Sequence, residues 1–285
     1  MPLVQRAPLL HRAQSARLNR GHWLAKGLVS WWLAVPGFIG STTWRDLCER
    51  NNGTLTNMAV PSTSTSGWNA VTRQGGIGAL AFDGTDDYVT MGSPTTLDNL
   101  SALSYCAWIY PRTQGESLSG MIVTKTTGFD AIKTLALADN VGVNFRAKIE
   151  CSSEDMSIST AVNTITLNAW QHVVLTFDGT TGILYKNAVN IGSDTAVGTP
   201  FSDASNDFII GNIADGSRTF DGFIDDVRVY NRALSASEVL FLYHNSRIGY
   251  PGLLYSACWG RGAFAPLAAA AGQPVGQMMR MGVGR

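Results

Sequence analysis

The stretch Phe220–Tyr243, FDGFIDDVRVYNRALSASEVLFLY, constrains the fold more than any other part of the chain. Asp221-Gly222 marks a turn. Val227 and Val229 then alternate with Asp226 and Arg228, the period-2 pattern of a half-buried strand. Ser235-x-x-Glu238 matches a capping box, in which a hydroxyl takes an orphan N–H of the first helical turn and a carboxylate reaches back to the cap. Val239, Leu240 and Tyr243 give the helix that follows an apolar side. Strand, internal acidic pair (Asp225, Asp226) and capped helix thus form one continuous unit.

The remaining patterns are strands and turns. Leu28–Leu33 reads as a first strand, and Asn52-Gly53 as a tight turn, since both central positions of such a turn need positive φ. Pro61–Gly67 is a polar loop. In Ala79–Met91 (ALAFDGTDDYVTM), Leu80 and Phe82 belong to one strand, Asp83-Gly84 turns, and Tyr88 and Val89 belong to the next. Leu103–Tyr110 alternates aromatic and small residues up to Pro111, where an interior strand must stop. Gly120–Lys125 and Val141–Cys151 are further strands, with loop and a short strand over Thr126–Asn140 between them, and Ile158–Thr160 is a weaker one. In the hairpin Trp170–Gly192, Val173, Leu175 and Phe177 face one way, Asp178-Gly179 turns, and Ile183 and Tyr185 return. Ala188 resists positive φ, so the turn after Asn187 is expected to be wider than two residues. Phe208–Gly211 is the strand before the opening stretch. With 285 residues, 45% of them apolar, and 30 glycines for turns, the chain can bury one large β core.

Three segments, IDDVRVYNRALS, ALAFDGTDDYVTM and WQHVVLTFDGTTGILYKNAVNIG, together with the opening GLVSWWLAVPG…DLCERNNGTLTN, resemble the laminin G-like, concanavalin A-like jelly-roll family. The run His22…Leu24-Ala25…Gly27-Leu28 is similar to the openings of phage-encoded structural proteins that carry such domains. The resemblance covers roughly residues 20–250. It implies an all-β, two-sheet antiparallel jelly-roll sandwich over 22–250; residues 1–21 and 251–285, which lack sustained periodicity, read as extended arms. It does not by itself assign a role, because this sandwich carries lectins, glycan hydrolases and structural modules alike.

Hydrolysis of glycans needs two carboxylates facing each other across a cleft. Catalytic members of the group carry them as E-x-D-x-x-E on one strand, and that pattern does not occur here. Glu154-Asp155, Asp86-Asp87 and Asp225-Asp226 are adjacent pairs, and adjacent strand residues point to opposite faces. The histidines (His11, His22, His172, His244) accompany no nucleophile motif, so the chain is expected not to be an enzyme. In related jelly rolls a structural calcium joins the turn after an early strand to an Asp of the last strand. The matching residues are Asp83, Gly84 through its carbonyl, and Asp225, with Asp86 as an extra ligand. The alternative is that Asp83 and Asp86 cap the turn and Asp225 pairs with an arginine. Trp44, Trp68, Trp108, Tyr110 and Trp170 are the aromatic residues a saccharide could stack on, against a default of core burial for each.

The net charge of zero hides an asymmetry. Residues 1–43 carry Arg6, Arg12, Arg17, Arg20 and Lys26 and no acid. Residues 244–285 carry Arg247, Arg261, Arg280 and Arg285 and again no acid, which leaves residues 44–243 at −9. Basic ends flanking an acidic body either stay solvated and soften self-association or dock on acidic protein neighbours, copies of the same chain included. Nucleic acid is disfavoured, because scattered arginines come without a recognition motif. Cys48, Cys106, Cys151 and Cys258 lack ligand spacing, and Cys106 sits in a strand pattern as a small core residue. No secretion signal is evident, and Leu28–Gly40 is too short and too rich in Trp and Pro to span a membrane. The leading expectation is a non-enzymatic virion structural protein, a capsid decoration or other surface component attached through its basic arms. The alternative is a glycan-binding, lectin-like adhesion module, extracellular or at a cell surface.

Overall fold

The computed structural model describes residues 16–34, 41–70, 78–126, 133–138, 143–245 and 254–256. Their strands are β1 (Ala16–Leu18), β2 (Leu28–Trp32), β3 (Thr43–Trp44), β4 (Gly53–Thr56), β5 (Gly67–Asn69), β6 (Ala79–Asp83), β7 (Tyr88–Thr90), β8 (Leu103–Pro111) and β9 (Met121–Lys125). Then follow β10 (Lys133–Ala138), β11 (Asn144–Ile149), β12 (Met156–Ser159), β13 (Gln171–Phe177), β14 (Thr181–Lys186), β15 (Val189–Thr195), β16 (Phe208–Ile210) and β17 (Asp221–Tyr230). Helix α1 (Ala236–Asn245) and β18 (Leu254–Ser256) close the described chain.

The strands form two antiparallel eight-stranded sheets, the jelly-roll sandwich that the sequence implies. One runs β12-β11-β10-β9-β16-β7-β4-β3; the other runs β15-β14-β13-β8-β17-β6-β5, with β2 also on β17. Between them lies a continuous core that includes Trp32, Phe82, Tyr105, Ile109, Val173, Leu175, Phe177, Phe208 and Ile224. Alternation sends every second residue of β8 and β13 out of this core, and Cys106 and Val174 instead join a second cluster with Trp31, Tyr230, Val239 and Leu242. Helix α1 therefore covers part of the outer face of the second sheet. Its capping box is formed: the Glu238 N–H donates to Ser235 Oγ at 3.3 Å, and the Ser235 N–H donates to Glu238 Oε2 at 2.8 Å.

Strand β17 organises the second sheet, as its sequence suggests. It pairs with β8 along one side; on the other it pairs with β6 over Asp221–Ile224 and with β2 over Val227–Tyr230. Its register slips between Asp225 and Arg228, and Asp226 takes up the slack at φ 54°, in the left-handed region that Asp tolerates better than other non-glycine residues.

Two turns differ from expectation. Asn52-Gly53 is not a turn: Gly53 begins β4, and a Cβ there would meet Val89 Cγ1 at 2.5 Å. The left-handed residue is Glu49, because the chain bends around Asp46 instead. The Asn187-Ala188 turn has two residues, with both φ values positive at 49° and 65°, and Lys186 paired with Val189. Asn187 fixes it from outside: its N–H donates to His172 O at 2.8 Å, and its Oδ1 accepts the His172 N–H at 2.9 Å. Those bonds hold Ala188 in the left-handed region, which costs a residue with a Cβ about 1–2 kcal/mol.

The stretches read as arms are joined where they can be described. Ala16–Leu18 pairs antiparallel with Leu254–Ser256, and the Arg20 Nη2 donates to Cys48 O at 3.1 Å. Arg6, Arg12, Arg261, Arg280, Arg285 and Cys258, together with the Arg17 side chain, lie outside the described residues.

Candidate functional site

On the outer face of the second sheet, beside α1, the strand register lays the residues out in rows. Phe223 on β17 lies opposite Tyr110 on β8 and Ala81 on β6. Gln171 pairs with Ile109, which sets Trp170 beside Tyr110. The three rings touch: Tyr110 lies 5.7 Å from Trp170 and 5.6 Å from Phe223, edge to face, and Trp170 lies 6.4 Å from Phe223. Tyr110 and Trp170 are half-buried, whereas Phe223 is 7% exposed and forms the floor. One row inward, Trp108 stacks on Tyr243 of α1 at 5.8 Å and tilts against His172 at 5.3 Å, so the helix closes that side.

One row outward the side chains are charged. Asp221 lies opposite Asp83 on β6, and the Arg112 N–H donates to Asp221 O on the other side. The Arg112 guanidinium donates Nε to Asp221 Oδ1 at 2.8 Å and Nη2 to Phe82 O at 2.7 Å, and it sits 5.4 Å from the Phe223 ring centre. Beyond Asp83, the turn brings the carboxylates of Asp83, Asp86 and Asp87 within 4.8 Å of one another. Asp83 Oδ1 caps the turn by accepting the Thr85 N–H at 2.8 Å, and Asp87 Oδ2 accepts the Asp83 N–H at 3.0 Å. Asp87 is fully buried; burial pushes its carboxyl up to about 6, and the charges of Asp83 and Asp86 push the same way.

Asp225 is not part of this group. It lies four residues along β17 from Asp221, roughly 13 Å away at strand rise. Its Oδ1 accepts the Ala34 N–H at 2.8 Å, at the end of β2. The structure thus brings Asp83, Gly84 and Asp86 to one turn, adds Asp87, and leaves Asp225 elsewhere. Its neighbour Asp226 pairs with an arginine: Oδ1 accepts Arg228 Nε at 2.8 Å and Trp31 Nε1 at 2.6 Å, and Oδ2 accepts Arg228 Nη2 at 3.1 Å. Of the other aromatic candidates, Trp44 and Trp68 are in the core, edge to face at 6.0 Å. Glu154 and Asp155 lie in the loop before β12, where Asp155 Oδ1 accepts the Cys151 N–H.

Residues 83–240 match the family described as the concanavalin A-like lectin/glucanases superfamily. The chain belongs to this family. No curated protein matches the chain by sequence. Among solved structures, this concanavalin A-like chain is similar to domain 4 of an extracellular arabinanase from Geobacillus stearothermophilus, in complex with arabinotriose. The identity is 19% and the TM-score 0.53, over 76% of this chain and 98% of that domain. It is also similar to the binding domain of Paraclostridial Mosquitocidal Protein 1, with 17% identity and TM-score 0.58, over 77% of this chain and 52% of that one. A third likeness is to Trypanosoma rangeli sialidase, with 15% identity and TM-score 0.53, of which the chain spans about a third, 32%. At these identities the likeness is one of fold.

The three family segments each serve the concanavalin A-like sandwich in a different way. IDDVR ties β2 to β17 through the two Asp carboxylates, FDGTDD supplies the carboxylate turn, and WQHVV starts the strand beside the touching rings. Sequence reasoning missed Phe223 and Arg112 as members of this row and its border. The signal was available in the register, since Asp221 and Phe223 alternate on one side of β17, but only pairing with β8 places Tyr110 next to them.

Proposed function

We propose that this chain is a non-catalytic carbohydrate-binding module that holds saccharide on the row Trp170, Tyr110 and Phe223. The observation that carries the reading is the row itself: the half-buried rings of Trp170 and Tyr110 touch each other and pack on the buried Phe223, which the Arg112–Asp221 pair borders. Sugar rings present C–H faces to aromatic surfaces and hydroxyls to a polar rim, so a ligand site of this chemistry combines the two. The arabinotriose-bound domain of similar fold supports the reading. Affinity electrophoresis or calorimetry against a panel of oligosaccharides tests it. Trp170→Ala and Tyr110→Ala are each expected to weaken binding by about tenfold, one stacked ring's worth of affinity. Unchanged binding by both variants, or no saccharide bound by the unaltered chain, overturns it.

A second reading, attachment to a larger particle such as a virion through the basic ends, has one observation in its favour. The β1–β18 pairing joins the two acid-free stretches to each other, so they would act as one attachment unit. Deleting residues 1–20 and 252–285 is expected to leave a folded sandwich that no longer co-sediments with its particle. Normal co-sedimentation of the trimmed chain rules this reading out.

A further inference from the structure

We infer that Lys133 and Asp203 condense into an intramolecular amide cross-link, a covalent bond between β10 and the loop before β16. Alternation puts Lys133 on the face of β10 that carries Leu135 and Leu137 into the core. Lys133 is 1% exposed there and Asp203 is fully buried. Lys133 Nζ lies 2.5 Å from Asp203 Oδ2. With a C–O bond of about 1.2 Å, the carboxyl carbon is at most about 3.7 Å from that nitrogen, close to the roughly 3–3.5 Å of reacting atoms in a near-attack arrangement. The neighbouring groups fix the other oxygen. Asp203 Oδ1 accepts the Asn99 N–H at 2.6 Å, and the Asp203 N–H donates back to Asn99 Oδ1 at 3.2 Å. Lys125, opposite Lys133 on β9, places its Nζ 3.9 Å from the same Oδ1. It is held there by Asp98 Oδ1, Asp203 O and Asn206 O, at 2.8, 2.9 and 2.7 Å. Donors gathered at Oδ1 stabilise the negative charge that grows on this oxygen as the nitrogen adds to the carbon. Burial pushes the Lys133 amine below the usual lysine range; Asp203 pulls against this and Lys125 adds to it. The uncharged, nucleophilic amine is therefore easier to reach than on a solvated lysine.

The step balances within the pair. Starting from ammonium and carboxylate, the Nζ–Cγ bond forms, the Cγ–Oδ2 bond breaks, and two protons from Nζ leave with Oδ2 as one water. No oxidant, reductant or co-reactant enters. Holding the two groups in contact supplies the effective concentration that free groups lack, and a site closed to bulk water disfavours return by hydrolysis. The amide also removes two charges whose burial is costly. It would join positions 70 residues apart in the chain.

Intact-mass spectrometry of the full-length chain tests this, after the folded protein has been incubated until its mass is constant and then denatured. The expected mass is one water below that of the sequence. A proteolytic digest should then yield a branched peptide that joins the segments around Lys133 and Asp203. Lys133→Arg keeps a cation for Asp203 but replaces the amine by a guanidinium, so this variant should show its full sequence mass and no branched peptide. An unaltered chain at full sequence mass overturns the cross-link and leaves an ion pair in its place. So does a water loss that maps to other residues, such as an Asp-Gly site, or one that persists in Lys133→Arg. The readout is independent of whether the chain binds saccharide.

Discussion

Two acidic regions of this molecule use their carboxylates in opposite ways. On the β2 side, each buried carboxylate is surrounded by donors. Asp46 Oδ1 accepts the N–H groups of Trp31 and Cys48, both at 2.8 Å, and its Oδ2 accepts those of Arg50 and Asn51 at 3.2 and 3.0 Å. Asp225 takes the Ala34 N–H, and Asp226 takes Arg228 and the Trp31 indole. On the β6–β7 side, Asp83, Asp86 and Asp87 face one another, and the buried Asp87 has fewer donors: the Asp83 N–H at 3.0 Å and the Ser66 hydroxyl oppose its burial and the two neighbouring charges without outweighing them. A buried charge is stable when donors replace the water it has lost and costly when they do not. The first region therefore holds the fold together; the second stores a local electrostatic cost at the turn between β6 and β7.

Substitutions at the donor-rich carboxylates should break this contrast most visibly. Asp46→Ala leaves up to four backbone N–H groups without an acceptor and is expected to cost about 3–6 kcal/mol, read as a fall in the denaturant midpoint. If the loss is under about 1 kcal/mol, then water or rearrangement replaces the carboxylate and the region is less organised than its geometry. Asp226→Ala comes next. It strands a buried guanidinium that sits 4.1 Å from the Trp31 ring centre, and it places alanine at positive φ, for an expected cost of about 3–5 kcal/mol. Asp226→Asn keeps an acceptor and suits the left-handed backbone, so it should recover part of that loss. Equal losses in the two variants would show that charge, rather than backbone conformation, sets the requirement.

The same contrast explains what could be read from the chain beforehand. Strand periodicity and Asp-Gly turns report local conformation, so β6, β8, β13, β17 and the capped α1 were legible. Partnership is not local. Adjacent Asp225 and Asp226 look alike in sequence, yet only the slip of β17 against β8 decides that one caps β2 and the other binds Arg228. Asn52-Gly53 carries a strong turn signal, but Asn52 Oδ1 accepts the Asp46 N–H, and the bend forms around that carboxylate instead. Lys125 and Lys133 are opposite each other on β9 and β10 and fully buried, Lys125 on Asp98 and Lys133 on Asp203. Their acceptors come from loops some 70 residues away or more in one case, beyond any pattern a single strand can show. Of the ring row, Tyr110 and Trp170 were legible only as members of a larger set of aromatic residues, because which of them leave the core depends on the register of β8 with β13 and β17.

The smallest expected effect tests the donor-poor side, and its sign follows from linkage. Asp87 in the folded chain holds its proton up to about pH 6, above the ordinary Asp value. Between about pH 4 and 6 the folded state therefore binds more protons here than the unfolded state, so stability falls as pH rises through that window and stays lower above it. Asp87→Asn removes the titration while Asn can still accept the Asp83 N–H. The variant should melt higher than the parent at pH 7, by a few degrees at most, match it near pH 4, and show a flatter stability profile between. Asp46→Asn, compared over the same range, should be destabilising, because its amide would point N–H groups at backbone donors. A parent chain that gains stability from pH 4 to 6 at this position, or an Asp87→Asn variant that melts lower at pH 7, would mean that the donors of Asp87 outweigh its burial. The two acidic regions would then differ in sequence but not in kind.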